Sequence, residues 1–312
     1  MLKSLQIDYF RLFENLKIEP LARINLIAGI NNTGKTALLE ALRIWASNGV
    51  NTVINAALKD RGEFTSGWVE AYEALFNPNA TKNRIVIVNE GIERRLIPNE
   101  RVGSYFILLQ NMRSRDALNP NVTSDFPKDG CSYIPFALRP FPLEQIWEEI
   151  TLTDDEDAVI EVVKLADPRI QDIDVRSDGV RVRLKGHRSP VSIGRLGDEV
   201  MQTLKVAIGL VSAKNTSKRL LLIDEIESGL HHSVQQLVWE KIFHYAALWG
   251  VQVFATTHSQ DAVRTFAEVA ARPENTDQGC YFRLERDESD KVQAVVYDMG
   301  QLATSIEYEL ET

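Results

Sequence analysis

The chain has 312 residues, of which 35 are basic and 44 are acidic, and its formal net charge is −9 at pH 7. This acidic balance argues against a protein that coats nucleic acid nonspecifically, although it leaves room for a local basic groove. Hydrophobic residues make up 44% of the chain, which excludes a disordered protein and suffices for the core of one large or two ordinary domains.

The two cysteines, Cys131 and Cys280, indicate a reducing compartment. Their number and spacing form neither a disulfide framework nor a zinc site. The first residues lead directly into strand-like sequence without the apolar region of a secretory signal, and no apolar run reaches transmembrane length. We therefore expect a cytoplasmic protein.

Three short strands are predicted at the start of the chain, at residues 2–10, 16–18 and 24–28. The third leads into Gly-Ile-Asn-Asn-Thr-Gly-Lys-Thr at residues 29–36, which matches the phosphate-loop pattern Gly-x4-Gly-Lys-Ser/Thr at every required position. A helix with inward-facing apolar residues is predicted at 36–47. Because strand, loop and helix are the context that this motif requires, the segment predicts a nucleoside triphosphate site.

The residues of this loop have separate expected roles. Two glycines let the backbone wrap a phosphate at the N-terminus of the helix. Lys35 reaches the β- and γ-phosphates, and the hydroxyl of Thr36 ligates Mg²⁺. The predicted nucleotide-binding residues are Gly29, Asn31, Asn32, Thr33, Gly34, Lys35 and Thr36. The expected cofactors are ATP and Mg²⁺.

Arg11 lies between Phe10 and Phe13, in the turn before the second predicted strand. Held close to the loop, its guanidinium could contact the nucleotide. The alternative is a solvent-exposed arginine on a turn, and the sequence does not decide between the two.

The middle of the chain has mixed patterns. Helices are predicted at residues 52–59 and 68–76, and strands at 84–88 and 105–109. Residues 111–142 are rich in Pro, Asn, Ser and Asp, and this composition predicts a long loop.

Two helix starts carry the capping-box pattern, Thr153 with Glu156 and Ser233 with Gln236. Carboxylates in a first helical turn favour the helix dipole, so the acidic cluster after Thr153 is better explained by capping than by a metal site. The second box predicts a helix that ends near residue 247.

A hairpin is predicted around the turn at residues 178–179, Asp-Gly. The cross-strand neighbours expected in that register are Arg183 with Asp174, Lys185 with Asp172, and Arg176 with Arg181. The expected buried face consists of Ile173, Val175, Val182 and Leu184. Cross-strand ion pairs would then account for most of the positive charge of this strand, which weakens a nucleic-acid interpretation.

The C-terminal part of the chain alternates helix and strand patterns. A buried helix is predicted at residues 199–213, strands at 220–223 and 251–256, and a closing hairpin at 281–285 and 292–297. The strand at 220–223 is apolar at every position, as is typical of a central parallel strand. This alternation around a phosphate loop indicates an α/β fold.

Acidic and imidazole side chains follow two of these strands. Asp224 ends an apolar strand, where a carboxylate is expected to hold Mg²⁺ opposite Thr36. Glu225 is the candidate that orients and deprotonates the attacking water. His258 follows the next strand and is expected to donate a hydrogen bond to the γ-phosphate. The predicted catalytic residues are Glu225, His258 and Lys35.

Residues 224–231, Asp-Glu-Ile-Glu-Ser-Gly-Leu-His, together with the phosphate loop and His258, resemble the ABC-type ATPases of the OLD-like prokaryotic family. That family includes RecF- and SMC-like heads and the ATPase subunits of the Septu and PARIS antiviral systems. The resemblance covers nearly the whole chain. It implies a P-loop NTPase of the ABC-ATPase head type with a mixed, mainly parallel core sheet. The nucleotide-binding core would comprise residues 1–50 and 190–312, with an inserted helical and β lobe at 51–189.

The resemblance also implies an assembly in which two heads sandwich two nucleotides. Gly197 and Asp198, before a buried helix, look like the family's signature region, whose helix would point at the nucleotide of the partner head. The transporter-type signature has a serine and two glycines, whereas Asp198 places a carboxylate there. Either Arg195 supplies the positive charge or the signature holds its partner weakly.

The function implied by the resemblance is an Mg-ATP-hydrolysing homodimer or higher homo-oligomer. It would act as sensor or scaffold for a separately encoded effector, a nuclease, in antiviral defence. One alternative is a RecF-like DNA repair ATPase, which requires a basic groove; another is a nucleotide-gated structural subunit with little turnover. Contact with DNA stays open but is not favoured by the net charge, and no membrane partner is expected. The chain shows no nuclease motif set, so we expect it to cleave no nucleic acid itself.

Overall fold

The computed structural model describes residues 1–63, 73–79, 85–89, 92–99, 104–109, 130–136, 141–297, 299 and 302. The strands are β1 (Leu5–Phe10), β2 (Phe13–Ile18), β3 (Ile24–Ala28), β4 (Ile85–Asn89), β5 (Ile92–Asn99), β6 (Ser104–Leu109), β7 (Ser132–Ile134), β8 (Ile170–Arg176), β9 (Gly179–Leu184), β10 (Val191–Ser192), β11 (Leu220–Ile223), β12 (Gln252–Thr256), β13 (Gly279–Arg286) and β14 (Val292–Tyr297). The helices are α1 (Lys35–Ala46), α2 (Asn51–Asp60), α3 (Leu143–Ile150), α4 (Asp154–Val163), α5 (Asp198–Lys214), α6 (His232–Trp249) and α7 (Gln260–Ala270). Among the described residues, none of these helices is long and apolar enough to cross a membrane.

The core sheet has six strands in the order β14-β13-β3-β12-β11-β7. All neighbours are parallel except the closing β13–β14 hairpin. Every residue of β3, β11 and β12 is buried, because helices cover both faces of the sheet. Leu221 and Ile223 pack with α3 to α7, whereas Leu220 and Leu222 pack with α1, α2 and the first two strands. The predicted mixed, mainly parallel core sheet is therefore confirmed.

A second, antiparallel sheet has the strand order β2-β1-β4-β5-β6. It joins β1 and β2, which we predicted as part of the core, to strands of the predicted inserted lobe. Conversely β7, which lies inside that predicted lobe, pairs in parallel with β11 in the core sheet. The division at residues 51–189 therefore does not separate the two sheets.

Two predictions for the middle of the chain need correction. The predicted loop at 111–142 contains β7, a strand of three residues that is too short to show a periodic pattern. The strand β5 was not predicted at all. Residues 111–129 and 137–140 of that predicted loop, and the predicted helix at 68–76 up to residue 72, lie outside the described residues.

The small sheet β10-β9-β8 corrects the predicted hairpin register. Asp174 faces Arg181 and Asp172 faces Arg183, with an irregularity in β8 between residues 170 and 172. The two-residue turn is Ser177-Asp178, one position earlier than predicted, so each pair is shifted by two residues. A two-residue shift preserves the face of each side chain, and the predicted buried residues are indeed buried.

Arg176 and Arg181, which the predicted register placed opposite each other, both have carboxylate partners. Arg176 lies 2.7 Å from Asp174, and Arg181 lies 2.5 Å from Asp178. The pair of Arg183 and Asp172 is longer, at 3.4 Å. The conclusion that ion pairing accounts for much of the positive charge of this hairpin holds, although with different partners.

Reversing one charge of this hairpin should have a small effect on stability. Arg183→Glu places a carboxylate opposite Asp172, so we expect the free energy of unfolding to fall by about 0.5–1 kcal/mol. Lys185→Glu lies beyond the paired residues of β9 and is the matched control, with a smaller expected loss. Chemical denaturation of the two variants compares them, and a larger loss in Lys185→Glu would contradict the observed register.

The two predicted capping boxes are only partly formed. Thr153 does cap α4, but its hydroxyl accepts from the backbone N–H of Asp155 at 3.2 Å, and the Glu156 carboxylate accepts from the N–H of Leu152. At α6 the cap is His231, whose Nδ1 accepts from the N–H of Ser233 at 3.4 Å. Histidine is not among the residues preferred at a helix N-cap. The capping-box pattern therefore pointed to Ser233, two residues later.

Candidate nucleotide site

The phosphate loop connects the buried strand β3 to α1, as the sequence predicts. Gly29 and Gly34 have φ values of 149° and 99°, which side-chain-bearing residues rarely adopt. A Cβ atom at Gly29 would lie 2.6 Å from the carbonyl oxygen of Leu284, and one at Gly34 would lie 2.8 Å from the ring of Phe13. Both glycines are therefore required by backbone conformation and by close packing.

Lys35 is the first residue of α1, and its side chain turns back over the loop. Its Nζ donates to the carbonyl oxygens of Gly29 at 2.6 Å and Ile30 at 3.0 Å. Burial lowers the pKa of Lys35, while the carboxylates of Glu225 and nearby acids oppose that shift. The ammonium group is thus held inside the loop by neutral acceptors, which an anionic phosphate can replace with stronger charge-assisted bonds.

Thr36 and Asp224 are far apart in sequence but adjacent in space. The Thr36 hydroxyl lies 3.1 Å and 3.3 Å from the two carboxylate oxygens of Asp224. Asp224 follows β11, and its backbone N–H donates to the carbonyl oxygen of Ile134 in β7. A hydroxyl and a carboxylate at this distance are the oxygen donors that Mg²⁺ prefers, so this pair fits the predicted ion.

Thr256, the last residue of β12, was not predicted as a site residue. Its hydroxyl accepts from the backbone N–H of Glu225 at 2.8 Å and donates to Asp224 Oδ1 at 2.7 Å. Thr256 is fully buried, and its carbonyl oxygen accepts from the N–H of Ile226. The Thr256 side chain therefore positions both Asp224 and Glu225. The available sequence signal for this role was a threonine at the end of the strand that precedes His258.

Glu225 has a left-handed backbone conformation, with φ at 54°. A residue of this type in that region costs roughly 1–3 kcal/mol and persists only where neighbours fix it, as the bonds from Thr256 do here. Burial raises the pKa of Glu225, and the carboxylates of Asp224 and Glu227 add to this effect, while His258 and Lys35 oppose it. A carboxylate with a raised pKa is better suited to accept a proton near neutral pH.

His258 lies beside the acidic residues, as expected from its place after β12. Its Nδ1 is 3.0 Å from Glu227 Oε1 and 3.8 Å from Glu225 Oε1. The backbone N–H of His258 also donates to Glu227 Oε1, at 2.9 Å. Glu227 was quoted in the sequence motif but was not predicted as a site residue.

Arg11 is buried, so the alternative of a solvent-exposed arginine on a turn is wrong. Its side chain is 5% exposed and lies in a buried network, with Nε 2.6 Å from Glu40 Oε2 on α1 and Nη1 3.0 Å from Glu63 Oε1. Glu40 also accepts from Arg61 Nε at 2.7 Å. The structure thus joins Arg11 to the helix that follows the loop, which the sequence could not indicate because Glu40 is remote in the chain. Contact with a nucleotide stays a prediction.

The predicted signature region begins a helix where the sequence placed it. Gly197 precedes α5 with φ at 96°, and Asp198 is the first helical residue. Arg195 ends a short 3₁₀ turn before it. The carboxylate of Glu199 accepts from the backbone N–H of His231 at 2.9 Å, so this helix start contacts the segment after Glu225. That this region contacts the nucleotide of a partner head stays a prediction.

Two family models match the chain in succession. One described as "AAA domain" matches residues 4–132, and one described as "AAA domain, putative AbiEii toxin, Type IV TA system" matches residues 133–264. The boundary between them falls inside β7. Each model therefore covers one part of the same site, the first with the phosphate loop and the second with the residues after β11 and β12.

The similarities to curated relatives include one over nearly the whole chain and one over a short segment. An "ATP/GTP phosphatase" of Helicobacter pylori is 22% identical over 357 residues, which cover 95% of this chain and 96% of that protein. A "DNA replication and repair protein RecF" of Cellvibrio japonicus is 47% identical over 45 residues, or 14% of this chain and 12% of that protein. The second similarity is thus local.

Solved structures with a similar fold include heads of SMC proteins. An SMC head bound to the C-terminal winged-helix domain of ScpA has a TM-score of 0.63 at 14% identity, covering 98% of this chain and 99% of the other. A second, bound to the C-terminal domain of ScpA from Pyrococcus furiosus, has a TM-score of 0.61 at 10% identity, covering 99% of each chain. At these identities the likeness concerns the fold alone, and it confirms the predicted fold class.

Proposed function

We propose that this chain, an ATPase with the α/β P-loop head fold, binds Mg-ATP, hydrolyses its γ-phosphate and associates with a second copy through the bound nucleotide. The observation that carries the proposal is the convergence of four groups at the carboxyl ends of three neighbouring strands. The phosphate loop follows β3, Asp224 and Glu225 follow β11, and His258 follows β12. In open α/β sheets this edge is where ligands bind.

Each group has a distinct chemical task in hydrolysis. Lys35 leaves the loop carbonyls and binds phosphate oxygens, and the hydroxyl of Thr36 and the carboxylate of Asp224 hold Mg²⁺. When bound, the ion supplies positive charge to the β- and γ-phosphate oxygens. Glu225 orients the attacking water and takes its proton, and His258 donates to a γ-phosphate oxygen.

The association step rests on the start of α5. Two heads would sandwich two nucleotides, with the region of Arg195, Gly197 and Asp198 facing the nucleotide of the partner head. Glu199 links that region to His231 within one chain, which supports communication between the helix start and the segment that carries Glu225. The first turn of α5 is acidic, so Arg195 is the residue that would offset the repulsion of a phosphate.

The biological role in the proposal is that of a sensor or scaffold in the cytoplasm for a separately encoded effector, a nuclease, in antiviral defence. The support is the resemblance of residues 224–231 to OLD-like ATPases. The solved SMC heads described above carry a bound protein domain, which is a precedent in the same fold for docking a partner. ATP state would alter a surface that the effector reads.

A second candidate is a DNA-maintenance ATPase, and the short similarity to the RecF protein favours it. That function predicts ATP turnover that rises with duplex DNA and falls with salt. Turnover measured with and without duplex DNA separates it from the first candidate. A nucleotide-gated subunit with little hydrolysis would bind ATP but show negligible turnover under both conditions.

Glu225→Gln is expected to retain ATP but to lower hydrolysis by roughly a hundredfold or more, because the amide cannot accept the proton of water. Lys35, Thr36 and Asp224 remain in this variant, so the uncleaved γ-phosphate should keep bridging two heads. Sedimentation with and without Mg-ATP measures the expected increase in mass.

The matched control is Glu240→Gln on α6, whose carboxylate pairs with Arg272 outside the site. It should hydrolyse ATP at the wild-type rate. Full hydrolysis by Glu225→Gln would exclude the proposed base. An unchanged mass in ATP, together with a monomeric protein in its absence, would exclude the two-head arrangement.

A further inference from the structure

We infer that Thr256 is a positioning residue for hydrolysis: its buried hydroxyl holds the backbone of Glu225 and the carboxylate of Asp224 in the arrangement that acts on water and on the terminal phosphate. The inference rests on the proposed hydrolysis of ATP. It adds that turnover, and not affinity for ATP, depends on this hydroxyl, which lies on β12 while the two acidic residues follow β11.

The Thr256 hydroxyl makes two hydrogen bonds, one as acceptor and one as donor. Oγ1 accepts from the backbone N–H of Glu225 at 2.8 Å and donates to Asp224 Oδ1 at 2.7 Å. A hydroxyl has one proton to donate and lone pairs to accept with, so the two bonds can be present at the same time. A single oxygen atom therefore joins the backbone of one acidic residue to the side chain of the other.

The backbone at Glu225 depends on the end of β12. Its N–H donates to the Thr256 hydroxyl, and the next N–H, of Ile226, donates to the Thr256 carbonyl oxygen at 3.0 Å. The carbonyl oxygen of Glu225 accepts from the N–H of Ser228 at 2.9 Å. Without the hydroxyl, the N–H of Glu225 would lose this partner, and its left-handed conformation, with φ at 54°, would lose one of the bonds that hold it.

The Asp224 carboxylate lies between two hydroxyl groups. Thr256 Oγ1 is 2.7 Å from Oδ1, whereas the Thr36 hydroxyl is 3.1 Å from Oδ2 and 3.3 Å from Oδ1. The bond from Thr256 is the shortest of these, so it is the tightest restraint on rotation of the carboxylate. Without it, Asp224 would be free to turn away from Thr36, the residue with which it is proposed to hold Mg²⁺.

Packing explains the shape of this side chain but not its hydroxyl. Thr256 is fully buried at the end of a strand in which every residue is buried. Valine has the same shape and suits a strand equally well. A buried hydroxyl is costly unless it is hydrogen-bonded, and here its bonds are to the two acidic residues of the site. The presence of the hydroxyl is therefore accounted for by Asp224 and Glu225.

The experiment compares Thr256→Val, which removes the hydroxyl and keeps the shape, with Thr256→Ser, which keeps the hydroxyl. In Thr256→Val we expect kcat for Mg-ATP to fall by about tenfold to a hundredfold, with KM and the dissociation constant of ATP changed by less than about threefold, because the phosphate loop is intact. Thr256→Ser should keep kcat within about threefold of the wild type. Thr265→Val is the control, since the Thr265 hydroxyl donates to the carbonyl oxygen of Asp261 within α7.

A second measurement requires neither nucleotide nor turnover. Nitrogen-15 spectra of glutamate-labelled protein report the exchange of the Glu225 amide hydrogen with solvent, and Glu225→Gln identifies its signal by removing it. We expect this amide to exchange slowly in the wild type and in Thr256→Ser, and at least about tenfold faster in Thr256→Val.

Several results would overturn the inference. Rapid exchange of the Glu225 amide in the wild type would do so without any variant, so the test stands even if Thr256→Val fails to fold. A wild-type kcat in Thr256→Val, an equal loss in Thr256→Ser, or a parallel loss of ATP affinity would also contradict it. A wild type that does not hydrolyse ATP would instead overturn the proposed function, and amide exchange would still decide whether Thr256 holds Glu225.

Discussion

Lys35→Ala is expected to abolish measurable ATP binding, with a dissociation constant raised at least about a hundredfold, and to leave the fold intact. The ammonium group makes its hydrogen bonds to the loop carbonyls of Gly29 and Ile30 and none to the core. Removing it therefore costs little in the free protein, whereas the ATP complex loses charge-assisted bonds to phosphate that contribute a few kcal/mol in total.

Calorimetric titration with Mg-ATP measures the binding, and thermal unfolding checks the fold. Lys17→Ala is the matched control, because Lys17 is an exposed lysine of β2 paired with Glu19. It should bind ATP as the wild type does. Equal affinity of the Lys35 and Lys17 variants would exclude the phosphate loop as the binding site.

Glu40→Ala is expected to lower the free energy of unfolding by about 3–5 kcal/mol, the largest effect on stability that we predict. Glu40 is buried on α1 and pairs with Arg11 at 2.6 Å and with Arg61 at 2.7 Å. Without it, the buried guanidinium of Arg11 keeps the more exposed carboxylate of Glu63 at 3.0 Å and the carbonyl oxygen of Ala74 at 3.4 Å. Removing one partner of a buried ion pair has a cost of this size.

Urea denaturation measures this difference. The control is Glu63→Ala, which removes the 28%-exposed partner of the same arginine and should cost about 1 kcal/mol. A loss in Glu40→Ala no greater than that of the control would mean that Arg11 finds water or another partner when Glu40 is absent, and the network would then carry no particular stability.

The parts of the site that could be predicted are those whose signal is local in sequence. The phosphate loop combines a strand, a glycine pattern and a helix within a short segment, and β11 is apolar up to Asp224. His258 was placed correctly because parallel strands end at one edge of a sheet. These elements need no knowledge of distant partners.

The parts that were missed depend on partners far along the chain. Thr256 acts only because β12 lies beside β11, and Arg11 is buried only because Glu40 meets it on α1. The strand β7 has three residues and is defined by its pairing with β11 and not by any pattern of its own. In the β8–β9 hairpin an irregular strand and a turn placed one position earlier changed each pair, although not the buried face.

The contact between Phe13 and Gly34 affects where segments of the antiparallel sheet can change in length without disturbing the nucleotide site. Through that ring and the Arg11–Glu40 pair, the near edge of the antiparallel sheet is joined to the loop and to α1. The opposite edge, β5 and β6, is separated from β1 by β4. Segments could therefore be lengthened, shortened or exchanged at the far edge during evolution, or in engineering, while the geometry around the phosphate stays fixed. The far edge is therefore the part of this sheet where a change in length would least disturb the phosphate loop.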